Sequence, residues 1–198
     1  MIQRDRCAAL LKMHMQTDAI VVAGLGTASR AWRAQQAPQP TYYVSDPMGI
    51  GLAMALGFAL AQPSREVVFL GGDGDFIMSL GSLLTVAGSG VKNLKVVTFQ
   101  NSRYETGGGQ PLVASDRFSL ATIARGAGFE KVLDVADEAQ AVEDIRTFLG
   151  WEDLGLLVLR TAAEPSPYPK AGPWSQVEER AFFMRQVHGD AGPLPCRD

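Results

Sequence analysis

The stretch that decides the fold is Val67-Val68-Phe69-Leu70-Gly71-Gly72-Asp73-Gly74-Asp75-Phe76. Its apolar first half predicts a buried strand, and the acidic glycine turn behind that strand leads into a helical pattern. Ligands of a doubly wound sheet bind beyond the carboxyl ends of the strands, where glycines let the backbone come close. An aspartate there would repel a bare phosphate, so the turn predicts a phosphate bridged by a metal ion. The alternative is that Asp73 or Asp75 only caps the helix.

Short apolar runs alternate with longer helical patterns along the chain. The predicted strands are 19–23, 42–44, 67–70, 94–99, 131–135 and 156–160. The predicted helices are 3–15, 28–35, 49–62, 76–88, 120–126, 138–149 and 176–187. Strands that are apolar throughout are typical of a parallel sheet that is covered on both faces. The pattern predicts an α/β fold in a single domain, with a doubly wound, mainly parallel sheet and helices on both faces.

The composition excludes several classes of function. The 198 residues carry a net charge of −3 and have no basic excess to hold a nucleic-acid backbone. Cys7 and Cys196 form neither a metal-binding pair nor a disulfide framework. The most apolar stretch, residues 48–61, is too short to cross a bilayer, and the first residues do not resemble a signal peptide. We expect a cytoplasmic protein that binds neither nucleic acid nor membranes.

A change in composition divides the chain near residue 163. Residues 1–163 carry the alternating strand and helix patterns, whereas four prolines lie between residues 165 and 173. We predict one binding domain at 1–163, followed at 164–198 by a proline-rich strap, a short helix and a tail.

A second predicted strand end carries polar residues and glycines. Asn101 lies 28 positions after Asp73, which is room for one helix and the next parallel strand. Three consecutive glycines follow at 107–109, and such a loop is costly to order unless backbone must approach a ligand. Asp73, the amide oxygen of Asn101, a backbone carbonyl near Arg103 and two phosphate oxygens would give Mg²⁺ most of an octahedral shell. The alternative is an asparagine in an ordinary turn.

A third predicted strand end supports a competing hypothesis. Residues 24–29, Gly-Leu-Gly-Thr-Ala-Ser, imitate the dinucleotide-binding pattern G-x-G-x-x-G. Asp46 lies 20 residues after Gly26, where a ribose-binding acid is expected. This pattern favours an NAD-binding domain, but it leaves Asp73, Asn101 and the glycine loop without a role.

The pairing of Gly72-Asp73-Gly74 with Asn101 resembles the motif of the thiamine-diphosphate enzymes. In that family, a Gly-Asp-Gly turn and a downstream asparagine hold Mg²⁺ and the diphosphate of the cofactor. The loop Tyr104-Glu105-Thr106-Gly107-Gly108-Gly109-Gln110-Pro111 is similar to that of sulfopyruvate and phosphonopyruvate decarboxylases. Ser29-Arg30 and Met48-Gly49 fit their N-terminal pattern. The resemblance covers residues 18–160.

The resemblance implies a role for each matching residue. Asp73, Asn101 and the backbone carbonyl of Arg103 would bind Mg²⁺. Met48 would hold the cofactor in its bent shape, and the carbonyl of Asp46 would accept a hydrogen bond from the aminopyrimidine. The remaining cofactor-binding residues would be Thr27, Gly72, Gly74, Asp75, Tyr104 and Thr106. Asp75 departs from the family pattern, in which a small hydroxyl residue is common at this position.

The resemblance also implies a second chain. Enzymes of this family need a pyrimidine-binding domain, which supplies the glutamate that activates the cofactor, and this sequence leaves no room for one. The chain therefore resembles a beta-type subunit, and its alpha-type partner would provide the catalytic glutamate. We expect self-association and the decarboxylation of a small anionic 2-oxoacid, similar to sulfopyruvate or phosphonopyruvate. The alternatives are a subunit of another thiamine-diphosphate carboligase or oxidoreductase, and the NAD-binding domain.

Overall fold

The computed structural model describes residues 1–45, 47–168 and 174–189. Its strands are β1 (Ile20–Ala23), β2 (Thr41–Tyr43), β3 (Val67–Gly72), β4 (Leu94–Gln100), β5 (Arg103–Tyr104), β6 (Gln110–Pro111), β7 (Lys131–Val135) and β8 (Gly155–Arg160). Its α-helices are α1 (Arg4–His14), α2 (Thr27–Ala34), α3 (Gly51–Ala61), α4 (Asp73–Ile77), α5 (Gly81–Gly88), α6 (Leu120–Gly126), α7 (Glu138–Leu149) and α8 (Gln176–His188). Among these residues, no helix is long and apolar enough to cross a membrane.

Six of the strands form one parallel sheet in the order β2-β1-β3-β4-β8-β7. The strand β2 lies on one side of β1, and the chain then crosses to the other side, where β3 and β4 follow. A sheet of this kind leaves a crevice at the carboxyl ends of the strands where the direction changes. The register pairs Ala23 with Leu70 and Gly72 with Phe99, so the ends of β1, β3 and β4 lie side by side. The sheet confirms the predicted fold class.

The sheet is buried between two apolar layers. Alternate strand residues point to opposite faces. Val22 and Phe69 pack on one face with side chains of α3, α5, α6 and α8, whereas Val21 and Leu70 pack on the other with α1, α2 and α7. Helices on both faces explain why the central strands are apolar at every position.

The predicted helix at 76–88 is divided in the structure. The first part, α4, begins at Asp73 directly after the strand, and the second part, α5, begins at Gly81. The hydroxyls of Ser79 and Ser82 contact each other at 2.6 Å in the break. A Cβ at Gly49 would lie 3.1 Å from the Cβ atoms of both Met78 and Ser79, so the break packs closely on the segment before α3. This tertiary contact overrides the helical pattern.

Two further elements lie outside the predicted sheet. Within the glycine loop, β5 and β6 form a small antiparallel pair around a 3-10 turn at Glu105–Gly107, which the sequence did not predict. The predicted helix near the end of the chain is present as α8, and its Phe183 is buried against Tyr42 and Phe58. The proposed division of the chain at residue 163 stays a prediction.

Candidate functional site

The turns after β1, β3 and β4 open into one cleft of about 480 Å³. Asp46 lies outside the described residues. All the other predicted cofactor and metal residues line this cleft: Thr27, Met48, Gly72, Asp73, Gly74, Asp75, Asn101, Arg103, Tyr104 and Thr106. The fold therefore brings residues from separate strand ends into one place, and their individual roles stay predictions.

Asp73 is buried at the centre of this arrangement. Its Oδ1 accepts a hydrogen bond from the N–H of Gly74 (2.9 Å), and its Oδ2 accepts one from the N–H of Ser102 (2.6 Å). The second bond connects the turn after β3 to the turn after β4. Burial raises the pKa of Asp73 from 3.8 to about 6, and the hydrogen bonds from Ser102 and Gly74 oppose that rise. A bound cation would stabilise the ionised carboxylate further.

Asn101 begins a tight turn directly after β4. Its Oδ1 accepts a hydrogen bond from the N–H of Arg103 (2.9 Å), and Ser102 between them has a left-handed φ of 63°. An amide oxygen has two lone pairs, so this bond leaves Oδ1 able to accept or ligate once more. The turn places the oxygen of Asn101 and the carboxylate of Asp73 on adjacent strand ends of the same cleft.

Asp75 also lines the cleft, but it makes a contact that its predicted role did not include. Its Oδ1 accepts a hydrogen bond from the N–H of Gly49 at 2.6 Å. A Cβ at Gly24 would lie 2.6 Å from Oδ2, so the turn after β1 passes close to the carboxylate. Burial raises the pKa of Asp75, and the bond from Gly49 opposes this rise. Asp75 thus ties the segment that carries Met48 to the acidic turn.

Two glycines allow residues of the glycine loop to pack closely against the turns after β1 and β3. Gly26 has a φ of 109°, and a Cβ there would lie 2.9 Å from Thr106 Oγ1. A Cβ at Gly74 would lie 2.9 Å from the ring of Tyr104. The first N–H groups of α2 have no partner within the helix, and Thr27 and Ala28 line the cleft. Unpaired backbone N–H groups at the start of a helix suit a phosphate.

A metal ion in this cleft would depend on ligands of mixed type. In residues 1–45, 47–168 and 174–189, no three His, Cys, Asp or Glu side chains come together as a metal-binding group. Asp73 and Asn101 each offer a side-chain oxygen, and Mg²⁺ completes its octahedral shell with phosphate oxygens and waters. The residues present therefore fit Mg²⁺ bound together with a diphosphate.

The sequence did not predict Arg4 and Glu105 as cleft residues. Arg4 Nη2 and Glu105 Oε1 are 2.7 Å apart, and both residues line the cleft. Glu105 carried a signal, because it lies inside the glycine loop between Tyr104 and Thr106. Arg4 carried none, because the two residues are 101 positions apart and only the folded sheet brings them together.

Comparisons with known proteins agree on the kind of domain. A family described as thiamine pyrophosphate enzyme, C-terminal TPP binding domain, matches residues 24–159. Sulfopyruvate decarboxylase subunit beta from Methanothermobacter thermautotrophicus is 36% identical over 121 residues, which cover 61% of this chain and 64% of that protein. Phosphonopyruvate decarboxylase from Streptomyces viridochromogenes is 33% identical over 197 residues, which cover 96% of this chain and 49% of that protein.

The structural comparison supports the fold. The X-ray structure of a thiamin diphosphate-dependent enzyme from Mycobacterium smegmatis matches with a TM-score of 0.69 at 21% identity, over 82% of this chain and 32% of that chain. This chain thus spans less than two thirds of each of these three proteins.

The family match confirms the predicted cofactor, thiamine diphosphate, and the names of the relatives agree with the predicted decarboxylase class. It includes residues 24–29, on which the NAD-binding alternative depended. The chain belongs to the thiamine pyrophosphate enzymes and carries their C-terminal TPP-binding domain.

Proposed function

We propose that this chain is the diphosphate- and Mg²⁺-binding subunit of a decarboxylase that acts on a small anionic 2-oxoacid. The observation that carries the proposal is the hydrogen bond from the Ser102 N–H to Asp73, because it joins the two turns that would hold the metal. The relatives named sulfopyruvate and phosphonopyruvate decarboxylase supply the reaction class and the type of substrate.

The residues of the cleft would divide the work of binding. Asp73, Asn101 and the backbone carbonyl of Arg103 would ligate Mg²⁺, and the N–H groups at the start of α2 would bind phosphate oxygens. Met48 would support the cofactor from the β2 side of the cleft, on a segment that Asp75 holds through Gly49. When bound, thiamine diphosphate supplies an electron sink for cleaving the bond between a carbonyl carbon and a carboxylate.

We further propose that a partner chain provides the activating glutamate. Relatives from Methanothermobacter thermautotrophicus and Methanocaldococcus jannaschii are named subunit beta, a name that points to a separate alpha subunit. The cofactor and substrate would therefore lie between two chains, and this chain would also associate with itself. A cytoplasmic location stays a prediction.

The test is CO₂ release from sulfopyruvate, phosphonopyruvate and pyruvate, with Mg²⁺ and thiamine diphosphate present. We expect no turnover by the purified chain and turnover once a pyrimidine-domain subunit is added. An Asp73→Ala chain mixed with the same partner is the control, and it should stay inactive. Rapid decarboxylation by the chain alone would contradict the split site.

A second candidate function is carboligation. The large subunit of acetolactate synthase isozyme 1 from Escherichia coli is 26% identical over 79% of this chain and 30% of that protein. Product analysis of the reconstituted complex distinguishes the two functions. Release of a free aldehyde supports simple decarboxylation, and a product that joins two substrate molecules supports carboligation.

A further inference from the structure

A buried ion pair forms part of the cleft wall. Arg4 lies in the first turn of α1, and Glu105 begins the 3-10 turn of the glycine loop. Their side chains are only 8% and 10% exposed, and Arg4 Nη2 lies 2.7 Å from Glu105 Oε1. The two turns that would hold Mg²⁺ do not include either residue, so the proposed function leaves the pair without a role.

The hydrogen bonds of this pair are incomplete on both sides. Within the described part of the chain, Arg4 donates only from Nη2, to Glu105 and to the carbonyl of Glu164 at 3.4 Å. Glu105 Oε2 is buried and has no hydrogen-bond partner there. A buried ion pair repays its desolvation only when its remaining donors and acceptors are satisfied. The pair is therefore poorly built for stability alone, and Arg4 keeps donors for another acceptor.

The charge balance of the cleft shows what that acceptor would be. The charged side chains that line the described cleft are Arg4 and Arg103 on the positive side and Asp73, Asp75 and Glu105 on the negative side. Arg103 Nη1 donates to the carbonyl of Gly109 at 2.9 Å, and Arg103 is exposed, whereas Arg4 is buried. These side chains sum to a charge of −1, so even with Mg²⁺ bound the cleft carries only about +1, which is less than the charge of a diphosphate, and a further cation beside it is favourable. A guanidinium binds phosphate oxygens through two parallel hydrogen bonds.

We propose that Arg4 binds the diphosphate of the cofactor and that Glu105 restrains it, so that the pair sets the affinity of the cleft. The inference rests on the proposed function. Glu105 directly precedes Thr106, whose hydroxyl lies against Gly26, so the pair borders the space between the glycine loop and the start of α2. A diphosphate that enters this space competes with Glu105 for the guanidinium of Arg4. The ion pair between Arg4 and Glu105 must break first, so it weakens the binding of the diphosphate.

This proposal predicts effects of opposite sign for the two partners. Arg4→Gln removes a cation, so pyrophosphate should bind about tenfold more weakly, whereas Glu105→Gln releases Arg4 and should tighten binding about fivefold. The double variant also lacks the guanidinium, so Glu105 has nothing left to restrain, and it should bind about as weakly as Arg4→Gln. Both single effects should shrink in high salt, because salt screens charges. A pair with a purely structural role would instead weaken binding in all three variants.

The experiment is calorimetric titration of inorganic pyrophosphate into the full chain with saturating Mg²⁺, at low and at high salt. Arg6→Gln and Glu138→Gln are matched controls. They change the same charges in a 2.7 Å ion pair between α1 and α7, but those side chains are 55% and 40% exposed and do not line the cleft. Neither control should change pyrophosphate affinity. Circular dichroism checks the fold, and if Arg4→Gln does not fold, the direction of the Glu105→Gln effect decides the question.

Three results would overturn the proposal for Arg4 and Glu105, and a different result would contradict the proposed function. Weaker binding by Glu105→Gln would make the pair structural, and unchanged binding by Arg4→Gln would remove Arg4 from the site. Methanesulfonate and methylphosphonate are titrated into the cofactor-loaded chain as a second arm. If the variants alter only that binding, the pair contacts substrate and not the diphosphate. A parent chain that binds no pyrophosphate with Mg²⁺ would instead contradict the proposed function and remove the basis of the inference.

Discussion

The two ends of the parallel sheet each bury a charged side chain, and they treat it differently. Near the amino end of β4, Lys95 is 1% exposed and donates to the carbonyls of Trp151 (2.5 Å) and Asp153 (2.8 Å). At the carboxyl end of β3, Asp73 is 2% exposed and accepts from two backbone N–H groups. Lys95 is surrounded by protein, whereas Asp73 lines a cleft.

Burial shifts the pKa values of Lys95 and Asp73 so that the neutral form of each side chain is favoured. The two charged forms nevertheless differ in what they contact. Burial lowers the pKa of Lys95, and Glu66 opposes that change. The carbonyls around its ammonium are fixed by the fold, so the charge serves to hold the segment before β8. The carboxylate of Asp73 is held in place by N–H groups while one side stays open to a ligand. The difference indicates that one end is built for stability and the other for binding.

The largest expected effect is the loss of cofactor binding after a substitution at Asp73, at the carboxyl end of the sheet. Asp73→Ala removes a ligand from a hard-cation site, so Mg²⁺-dependent binding of thiamine diphosphate should fall by about a hundredfold or more. The milder variant Asp73→Asn removes the buried charge, but its amide has one acceptor oxygen for two N–H groups, so it should lose binding at a cost of no more than about 1–3 kcal/mol of stability at pH 7. Calorimetry gives the affinity, and urea unfolding gives the stability. Cofactor binding as tight as in the parent would refute the assignment of the metal site.

The complementary change breaks the stability end. Lys95→Met leaves the carbonyls of Trp151 and Asp153 unpaired, so the free energy of unfolding should fall by about 1–3 kcal/mol. The cleft lies at the other end of β3 and β4, so the affinity for Mg²⁺ and thiamine diphosphate should not change. If Lys95→Met kept its stability but no longer bound the cofactor, the amino end of the sheet would serve binding, and the division between the two ends would be wrong.

The same contrast shows what the sequence could and could not predict. The sequence predicted that Asp73 and Asn101 lie at one edge of the sheet. The apolar runs of β3 and β4 and the interval between the two residues were sufficient for this prediction, because successive parallel strands end at the same edge. The break between α4 and α5 depends on how closely Met78 and Ser79 pass Gly49, which no helical pattern contains.

Contacts between distant segments escaped prediction for the same reason. The hydrogen bond from Gly49 to Asp75 needs the path of the backbone and not its pattern. The ion pair of Arg4 with Glu105 joins residues 101 positions apart, on elements whose relative placement only the complete sheet defines. Motifs located the cleft, and the fold supplied its remaining wall.

A pH titration should separate the two ends further. Burial raises the pKa of Asp73 from 3.8 to about 6, so between these values the folded chain holds a proton that the unfolded chain has lost. In the absence of metal, the contribution of Asp73 to stability should therefore decrease as the pH rises through this window.

Metal binding should respond in the opposite direction. Mg²⁺ needs the ionised carboxylate, so its affinity should fall by about tenfold per pH unit below a pH of about 6. Calorimetry with Mg²⁺ and pyrophosphate across this range gives the affinity, and Asp73→Asn, which has no such group, is the control for stability. A metal affinity that is flat from neutral to acidic pH would mean that another group binds the ion.

A final comparison uses one methionine from each end of the sheet. Met15 follows α1 just before β1 and is 5% exposed, so Met15→Ala should cost about 2–5 kcal/mol of unfolding free energy and leave the cofactor site intact. Met48 lies after β2, is half-buried and lines the cleft, so Met48→Ala should cost less than about 1 kcal/mol. If Met48 supports the bent cofactor, turnover with the partner subunit should fall by about tenfold while diphosphate affinity changes little, since the diphosphate is anchored at Asp73 and Asn101. Equal losses of turnover and affinity would show that Met48 only fills space, and a large loss of stability would place it with Met15 as core.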